Sequence, residues 1–149
     1  MRVALGSDHA GFELKEELKL RLAKSGYAVI DLGTDSTEPV DYPDFAAAVG
    51  RAVVANRADR GIVVCGSGAG ASIAANKLQG IRAAQATDTY TAHQSVEHDD
   101  VNVLALGSRV TGSAVAHEIV DSFLGAKFSG EDRHVRRLNK VLDLDQNRT

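Results

Sequence analysis

Six consecutive residues, Cys65-Gly66-Ser67-Gly68-Ala69-Gly70, set a thiol beside glycines at alternate positions. Glycine permits positive φ and close approach, so successive backbone N–H groups in such a stretch can turn inward and form a nest for an anion. A helix expected to leave the loop near Ala71 adds the positive end of its dipole at the same spot. The loop is no nucleoside-triphosphate cradle, because no Lys-Ser/Thr pair follows its last glycine. It also lacks the spacing of a dinucleotide fingerprint. A tight strand-to-helix turn needs one glycine or two, so three beside a cysteine point to function. Cys65 alone leaves two readings open. A cysteine at a strand end is commonly a small buried hydrophobe. At the mouth of an anion nest its thiolate can be held by the same N–H groups and act as base or nucleophile.

Other reactive side chains fall at strand ends. Asp8 and His9 follow an apolar run and precede Ala10-Gly11, where an imidazole has little structural purpose. His98 lies in Glu97-His98-Asp99-Asp100, just before another apolar run, so a loop must fold back to bring it to the others. His93 and His117 fall within helical patterns and read as surface residues. No HExxH-type spacing links any of these histidines, and no metal site is expected. Arg133 and Arg137 are four apart, which puts both guanidinium groups on one helix face, with Arg136 adjoining. Such a face is commonly just solvated, yet guanidinium pairs also match phosphate geometry, and the chain already carries an anion-shaped loop. Arg109, after the strand ending in Leu106-Gly107, is a third phosphate candidate.

The elements that must position these groups alternate between short apolar runs and helical patterns, the signature of an α/β fold with a parallel sheet. Strands are expected at Arg2 to Ser7, Tyr27 to Leu32, Gly61 to Cys65, Ile81 to Ala86 and Asn102 to Leu106. Leu14, Leu18 and Leu22 stripe the first helix, and Gly26 sits where a helix C-terminal glycine belongs. Pro43 opens a second helix running to about Arg57; a third spans Ala71 to Leu78, closed by Gly80. Thr87 or Asp88 caps the next, and Gly112 to Leu124 is another, striped by Val115, Ile119 and Phe123. In open parallel sheets ligands bind at the carboxyl ends of the strands, which is where Asp8, Cys65 and Arg109 converge. The tail, about 131–144, reads as a charged helix with a thin apolar stripe of Val135, Leu138, Val141 and Leu142. It has little to bury on its own domain and is expected to contact a partner chain.

Bulk properties bound the rest. A chain of 149 residues with 44% hydrophobic content fits one domain, 1–149, with a sizeable core. A net charge of -3 supplies no global field for nucleic acid or an anionic membrane, and the absence of Trp with 5% aromatics argues against stacking single strands. No long apolar run and no leader pattern is visible. A single cysteine excludes an internal disulfide, so a reducing cytoplasm is the expected setting.

Taken together, the residues resemble the B-type ribose-5-phosphate isomerase family, which also includes galactose-6-phosphate isomerase subunits. The likeness rests on Gly6-Ser7-Asp8-His9-Ala10-Gly11-Phe12, Asp41-Tyr42-Pro43, Cys65-Gly66-Ser67-Gly68, Ala74-Ala75-Asn76-Lys77, Asn102 to Gly107 and Arg133-His134, in that order across nearly the whole chain. It implies a Rossmann-like three-layer sandwich with a five-stranded parallel sheet and a C-terminal tail helix. It further implies a homodimer or dimer of dimers with shared sites, a phosphorylated sugar as substrate, and no metal or organic cofactor. Ribose 5-phosphate and ribulose 5-phosphate are the expected pair. By that resemblance Cys65 moves a proton between C1 and C2 through a cis-enediolate, and Ser67 relays a proton between the oxygens. The backbone of Gly66, Ser67, Gly68, Ala69 and Gly70 holds the oxyanion. His98, helped by Asp8, opens the furanose ring; His9, Arg133 and Arg137 bind phosphate with Arg109 assisting; Tyr42 lines the sugar pocket.

Three positions depart from the family's usual residues. Ser67 stands for threonine and keeps the hydroxyl, while Val101 stands for alanine and is expected to shorten the pocket. Asp99 stands for an asparagine, and an ionised carboxylate cannot donate to the enediolate as an amide can. These leave the reaction type intact and keep tetrose or hexose phosphates open as substrates. A non-catalytic phosphosugar-binding subunit of a hetero-oligomer is the rival reading, and Cys65, Ser67 and His98 together argue against it. A nucleotide-binding module would want its glycine loop after the first strand.

Overall fold

The computed structural model describes residues 1–148; Thr149, the end of the expected 1–149 domain, lies outside them. The elements run β1 (Arg2–Ser7), α1 (Phe12–Lys24), β2 (Ala28–Asp31), α2 (Tyr42–Val54), β3 (Arg60–Cys65), α3 (Ala69–Ala75), β4 (Ala83–Gln85), α4 (Thr89–Asp99), β5 (Val103–Gly107), α5 (Ser113–Gly125) and α6 (Asp132–Gln146). Five strands form one all-parallel sheet in the order β2-β1-β3-β5-β4. The three-layer α/β expectation is met. One core packs Leu14, Leu18 and Leu22 of α1 with Val96 of α4 and Ile119 and Phe123 of α5. The other packs Ala46, Val49 and Ala52 of α2 with Ala71 and Ala75 of α3. The central strands β3 and β5 are buried on both faces, which their unbroken apolar runs require.

Local signals explain most boundaries. Gly26 (φ +85°) ends α1 in the left-handed region, and the N–H of Tyr27 returns to the carbonyl of Leu22 at 3.1 Å. Asp88 caps α4, its Oδ1 accepting from the Thr91 N–H at 2.7 Å. Several elements differ from expectation: α2 ends at Val54 rather than about Arg57, and β2 covers only Ala28–Asp31. Helix α3 begins at Ala69 rather than Ala71 and ends at Ala75, because the Asn76 side chain bonds Ala83 in both directions (2.8 Å each) and draws the chain into β4. Strand β4 shrinks to three residues, since the Arg82 N–H goes to the Asn102 side chain (2.9 Å) instead of a strand neighbour.

The tail departs more. Among the residues of α6 only His134 is buried, and Val135, Val141 and Leu144 are exposed. Leu138 and Leu142 are half-buried against the same chain, beside a groove that Ile81 and Val101 also line. Val101 lines that groove under the tail. The far end is latched to its own chain: Asp145 accepts from the Gly80 N–H at 2.6 Å, and Arg148 donates to the carbonyls of Lys77 and Asn76 at 2.8 and 2.9 Å. No helix among the described residues is long and apolar enough to cross a membrane.

One buried cation ties the first helix to the sheet. The Lys15 side chain is 1% exposed and bonds Glu16 at 2.8 Å and both oxygens of Asp31 at 2.8 and 2.9 Å. Burial would push the Asp31 carboxyl up, but Lys15, Lys19 and the Gly33 N–H hold it below the ordinary carboxylate range. Removing one partner of a buried pair is costly because the other keeps its desolvation penalty. Asp31→Ala should therefore lower stability by about 3 kcal/mol in denaturant unfolding, the low end for a broken buried pair because Asp31 is partly exposed. The Lys15→Met/Asp31→Ala double variant should regain most of that loss; no recovery would assign the cost to packing instead.

Candidate active site

The parallel register lines up three strand ends. Ser7 of β1 lies opposite Val64, and Cys65 of β3 opposite Gly107 of β5. The chain leaves β1 and β5 toward the helices of one layer and leaves β3 toward the other, so a crevice opens around the end of β3. That crevice, about 320 Å³, is lined by Asp8, Tyr42, Cys65, Gly66, Ser67, Gly70, Arg109 and Val110. A roomier groove of about 480 Å³ at the opposite sheet edge carries Arg60 and Arg82, but these cations are already engaged. Arg60 donates to the carbonyls of Phe123 and Ala126, and Arg82 pairs with Asp100.

The loop after β3 lines the crevice with Cys65, Gly66, Ser67 and Gly70. Cys65 is 4% exposed, and its sulfur accepts the Gly68 N–H at 3.1 Å. Gly68 has φ +86°, the left-handed turn that aims this N–H back at the thiol before α3 begins. Ser67 is exposed, and its hydroxyl accepts the Ala69 N–H at 3.2 Å. The guanidinium of Arg109 lies over Gly66, with Nη1 3.5 Å from where a Cβ would stand. Tyr42, half-exposed at the start of α2, covers Gly70, whose Cβ would meet the ring at 2.7 Å. Asp8 is buried and accepts the Gly11 N–H at 3.0 Å. His9, next to Asp8 but not among the lining residues, accepts the Val40 N–H on Nδ1 at 3.1 Å.

The remaining expected residues do not join this crevice. Helix α4 runs from the carboxyl end of β4 back to the start of β5, so His98 and Asp99, in its last turn, lie at the amino edge of the sheet. The loop does not fold back as expected. Strand β3 alone spans roughly 20 Å, which separates His98 from Cys65 and from Asp8 within one chain. Arg133 and Arg137, both exposed, stand on the first turns of α6 beside the end of α4. Here the buried ring of His134 stacks on His98 with centroids 4.0 Å apart and planes 26° apart. His93 is exposed as expected, but His117 is partly buried, with Nε2 3.8 Å from Glu17.

Several supporting residues were not singled out from the sequence. Gln85 donates to the Ser67 carbonyl at 2.6 Å, and the Ser108 hydroxyl donates to the Ala10 carbonyl at 2.7 Å across the end of β3. Gln94 lies 2.8 Å from His98 Nδ1, one helical turn before it. Only that i, i+4 spacing was visible beforehand.

Comparisons with known proteins agree with this geometry. A family model described as Ribose/Galactose Isomerase matches residues 3–141. Ribose-5-phosphate isomerase B of Escherichia coli (strain K12) is 47% identical over 147 residues, covering 99% of this chain and 98% of that one. The structure of ribose-5-phosphate isomerase B from Clostridium thermocellum superposes with a TM-score of 0.97 at 50% identity, covering 100% of both chains. That of the Mycoplasma genitalium ribose-5-phosphate isomerase B with bound ribulose-5-phosphate gives 0.93 at 38% identity, covering 98% of this chain and 97% of that one. Matched by the family model over residues 3–141 and by these relatives along nearly its whole length, the chain belongs to the ribose/galactose isomerase family.

Proposed function

We propose that the chain interconverts an aldose phosphate and its ketose phosphate, with ribose 5-phosphate and ribulose 5-phosphate as the pair. The observation that carries this reading is the Gly68 N–H held on the Cys65 sulfur within a crevice that Arg109 overhangs. The names of the relatives supply the sugar.

In this reaction the Cys65 thiolate takes the C2 proton of the open-chain aldose, and the C2–H electron pair becomes the C1–C2 double bond of a cis-enediolate. The carbonyl oxygen gains negative charge as its π bond opens, and the N–H groups of Gly66, Ser67 and Gly70, those of the loop not given to Cys65 and Ser67, bind that charge as it develops. Ser67 carries a proton between O2 and O1. The thiol then returns its proton to C1, so the two carbons exchange oxidation level with no outside redox partner. Asp8 and His98 handle the protons of ring opening, the carboxylate at the anomeric hydroxyl and the imidazole at the ring oxygen. His9, Arg133 and Arg137 bind the phosphate, Arg109 assists, Tyr42 lines the sugar, and Asp99 stands at the edge of the pocket. A free thiol in the catalytic position suits a reducing, cytoplasmic setting.

The two groups of residues lie at opposite sheet edges, so one chain cannot close this site by itself. A second copy, placed with the amino edge of its sheet over the crevice of the first, brings His98, Asp99, Arg133 and Arg137 to Cys65. Two-fold symmetry makes the arrangement reciprocal and yields two sites. The exposed Val135, Val141 and Leu144 of α6 provide apolar surface for that contact.

Purified protein assayed on tetrose, pentose and hexose phosphates should turn over ribose 5-phosphate best. Cys65→Ala should lower kcat on the order of a thousandfold; retained turnover would remove the thiol from proton transfer. Co-expression of Cys65→Ala with His98→Asn, each inactive alone, should recover about a quarter of the activity, since random pairing leaves half the dimers mixed and each with one intact site. No recovery would place the whole site in one chain. Arg137→Ala should raise KM about tenfold with a smaller fall in kcat, because phosphate is a remote handle; an unchanged KM speaks against the phosphate role.

A further inference from the structure

The pairing of His98 with His134 is not used by the reaction as described above. Residues from three places converge on it. From α6, His134 is 2% exposed and lies flat against His98. From the preceding loop, the Ser129 hydroxyl sits 2.5 Å from His134 Nδ1. Its oxygen also accepts the Glu131 N–H at 3.2 Å, so the hydroxyl proton is free to point at the ring. The backbone of Ser129 is itself tied to α4, its N–H donating to the Glu97 carbonyl at 2.9 Å. From α4, Gln94 meets His98 Nδ1 at 2.8 Å. A carboxamide can present its nitrogen to a neutral ring or its oxygen to a protonated one, so Gln94 serves both states of His98.

The two rings are not equivalent. The His98 side chain is 32% exposed, whereas His134 is enclosed and its Nε2 has no partner among the described residues. Burial, then the neighbouring His98, Arg133 and Arg137, hold the His134 imidazole below its ordinary range, against a weaker opposing pull from Glu131. Glu97 faces His98 from the same helix, at 4.0 Å from Nε2. Two imidazolium rings stacked 4.0 Å apart repel, and the enclosed one bears the larger desolvation cost, so the His134 ring resists protonation.

We infer that His134 is a positioning residue for His98: its buried ring, pinned by Ser129, fixes the plane of the His98 imidazole and keeps a second positive charge from its face. This rests on the reading of His98 as the group that handles the ring-opening proton. It adds a residue that touches no reacting atom in that scheme and acts only through its neighbour.

The test uses His134→Asn, which removes the stack, and His134→Phe, which keeps a ring there but cannot be protonated. In the ligand-free protein, imidazole ¹⁵N–¹H spectra of His98 should show one resonance set in the wild type and in His134→Phe. In His134→Asn the set should shift and broaden. Unmoved His98 signals in His134→Asn overturn the inference. In turnover, His134→Asn should lose about tenfold or more in kcat on ribose 5-phosphate with KM little changed, and His134→Phe should recover most of it. On erythrose 4-phosphate, whose phosphorylated O4 prevents furanose closure, the loss should be absent. Equal loss on both sugars, or no rescue by Phe, contradicts a role through ring opening.

Thermal unfolding supplies an independent readout. The unfolded chain takes up a proton on His134 near its ordinary value of 6.5, and the folded chain resists it. The stability from this group is thus complete above that pH and is lost as pH falls below it. His134→Phe should flatten the fall in Tm between pH 7 and pH 5; an unchanged slope counts against the charge assignment. Should His98→Asn leave ribose 5-phosphate turnover intact, the parent reading of His98 fails, while the spectra still decide whether His134 holds its ring.

Discussion

The site depends on how closely β5 lets the loop after β3 approach. A Cβ on Gly107 would stand 2.4 Å from the carbonyl carbon and oxygen of Ser67, so no side chain is tolerated there without moving the loop. The other flank has the same limit, since a Cβ on Gly11 would lie 2.5 Å from the Val64 carbonyl oxygen. Between these bare positions the loop settles low enough for Cys65 to accept the Gly68 N–H. Cross-ties then hold it there. The N–H groups of Ser108 and Arg109 bond the carbonyls of Cys65 and Gly66 at 2.9 and 3.0 Å, and Gln85 takes that of Ser67. The donors that would face an enediolate are therefore fixed before substrate arrives, which is the condition under which such donors contribute most.

The same topology that gathers Asp8, Cys65 and Arg109 carries His98, Asp99, Arg133 and Arg137 away from them. A parallel strand pair requires a crossover that returns to the starting edge, and α4 is the return from β4 to β5. Whatever stands in its last turn must lie at the amino edge. Helix α6 sits at that edge too, held near its start by the His134 stack and near its end by the Asp145 and Arg148 latch. With so little of its surface buried at home, its arginines and its exposed apolar residues are both turned outward. In the reading proposed above, one assembly step covers the apolar residues and brings the arginines to a phosphate.

Much of this was legible in residue types. The span of β1, the glycine ending α1, the cap at Asp88 and the convergence of Asp8, Cys65 and Arg109 follow from apolar runs and turn chemistry that act locally. The place of His98 was not legible. Only Ala92, Ser95 and Val96 of α4 are buried, so its apolar stripe is too thin to announce how far the helix runs, and Glu97 to Asp100 looks like a loop. Gln85 and Ser108 escaped notice for another reason: they act on backbone carbonyls of residues far away in sequence, and no spacing records that. The tail was half legible. Its apolar stripe suggested a partner, but the latch depends on Asp145 and Arg148 finding the end of α3, a purely tertiary match.

Cys65 began with two readings, small hydrophobe or reactive anion, and its surroundings accommodate both. Its side chain packs in the same core as Val63, Ala71 and Ala105, where a neutral thiol is an ordinary apolar group. A carboxylate at that point would bring a permanent charge into the core and demand several donors whether or not substrate was bound. A thiol carries charge only when it gives up its proton, and the Gly68 N–H is already aimed at the atom that would bear it. The arrangement also favours a proton carrier over a covalent nucleophile. Sulfur at the enclosed floor of the crevice can reach a C–H hydrogen from below, whereas forming a C–S bond would require the substrate carbon itself to descend into packed side chains.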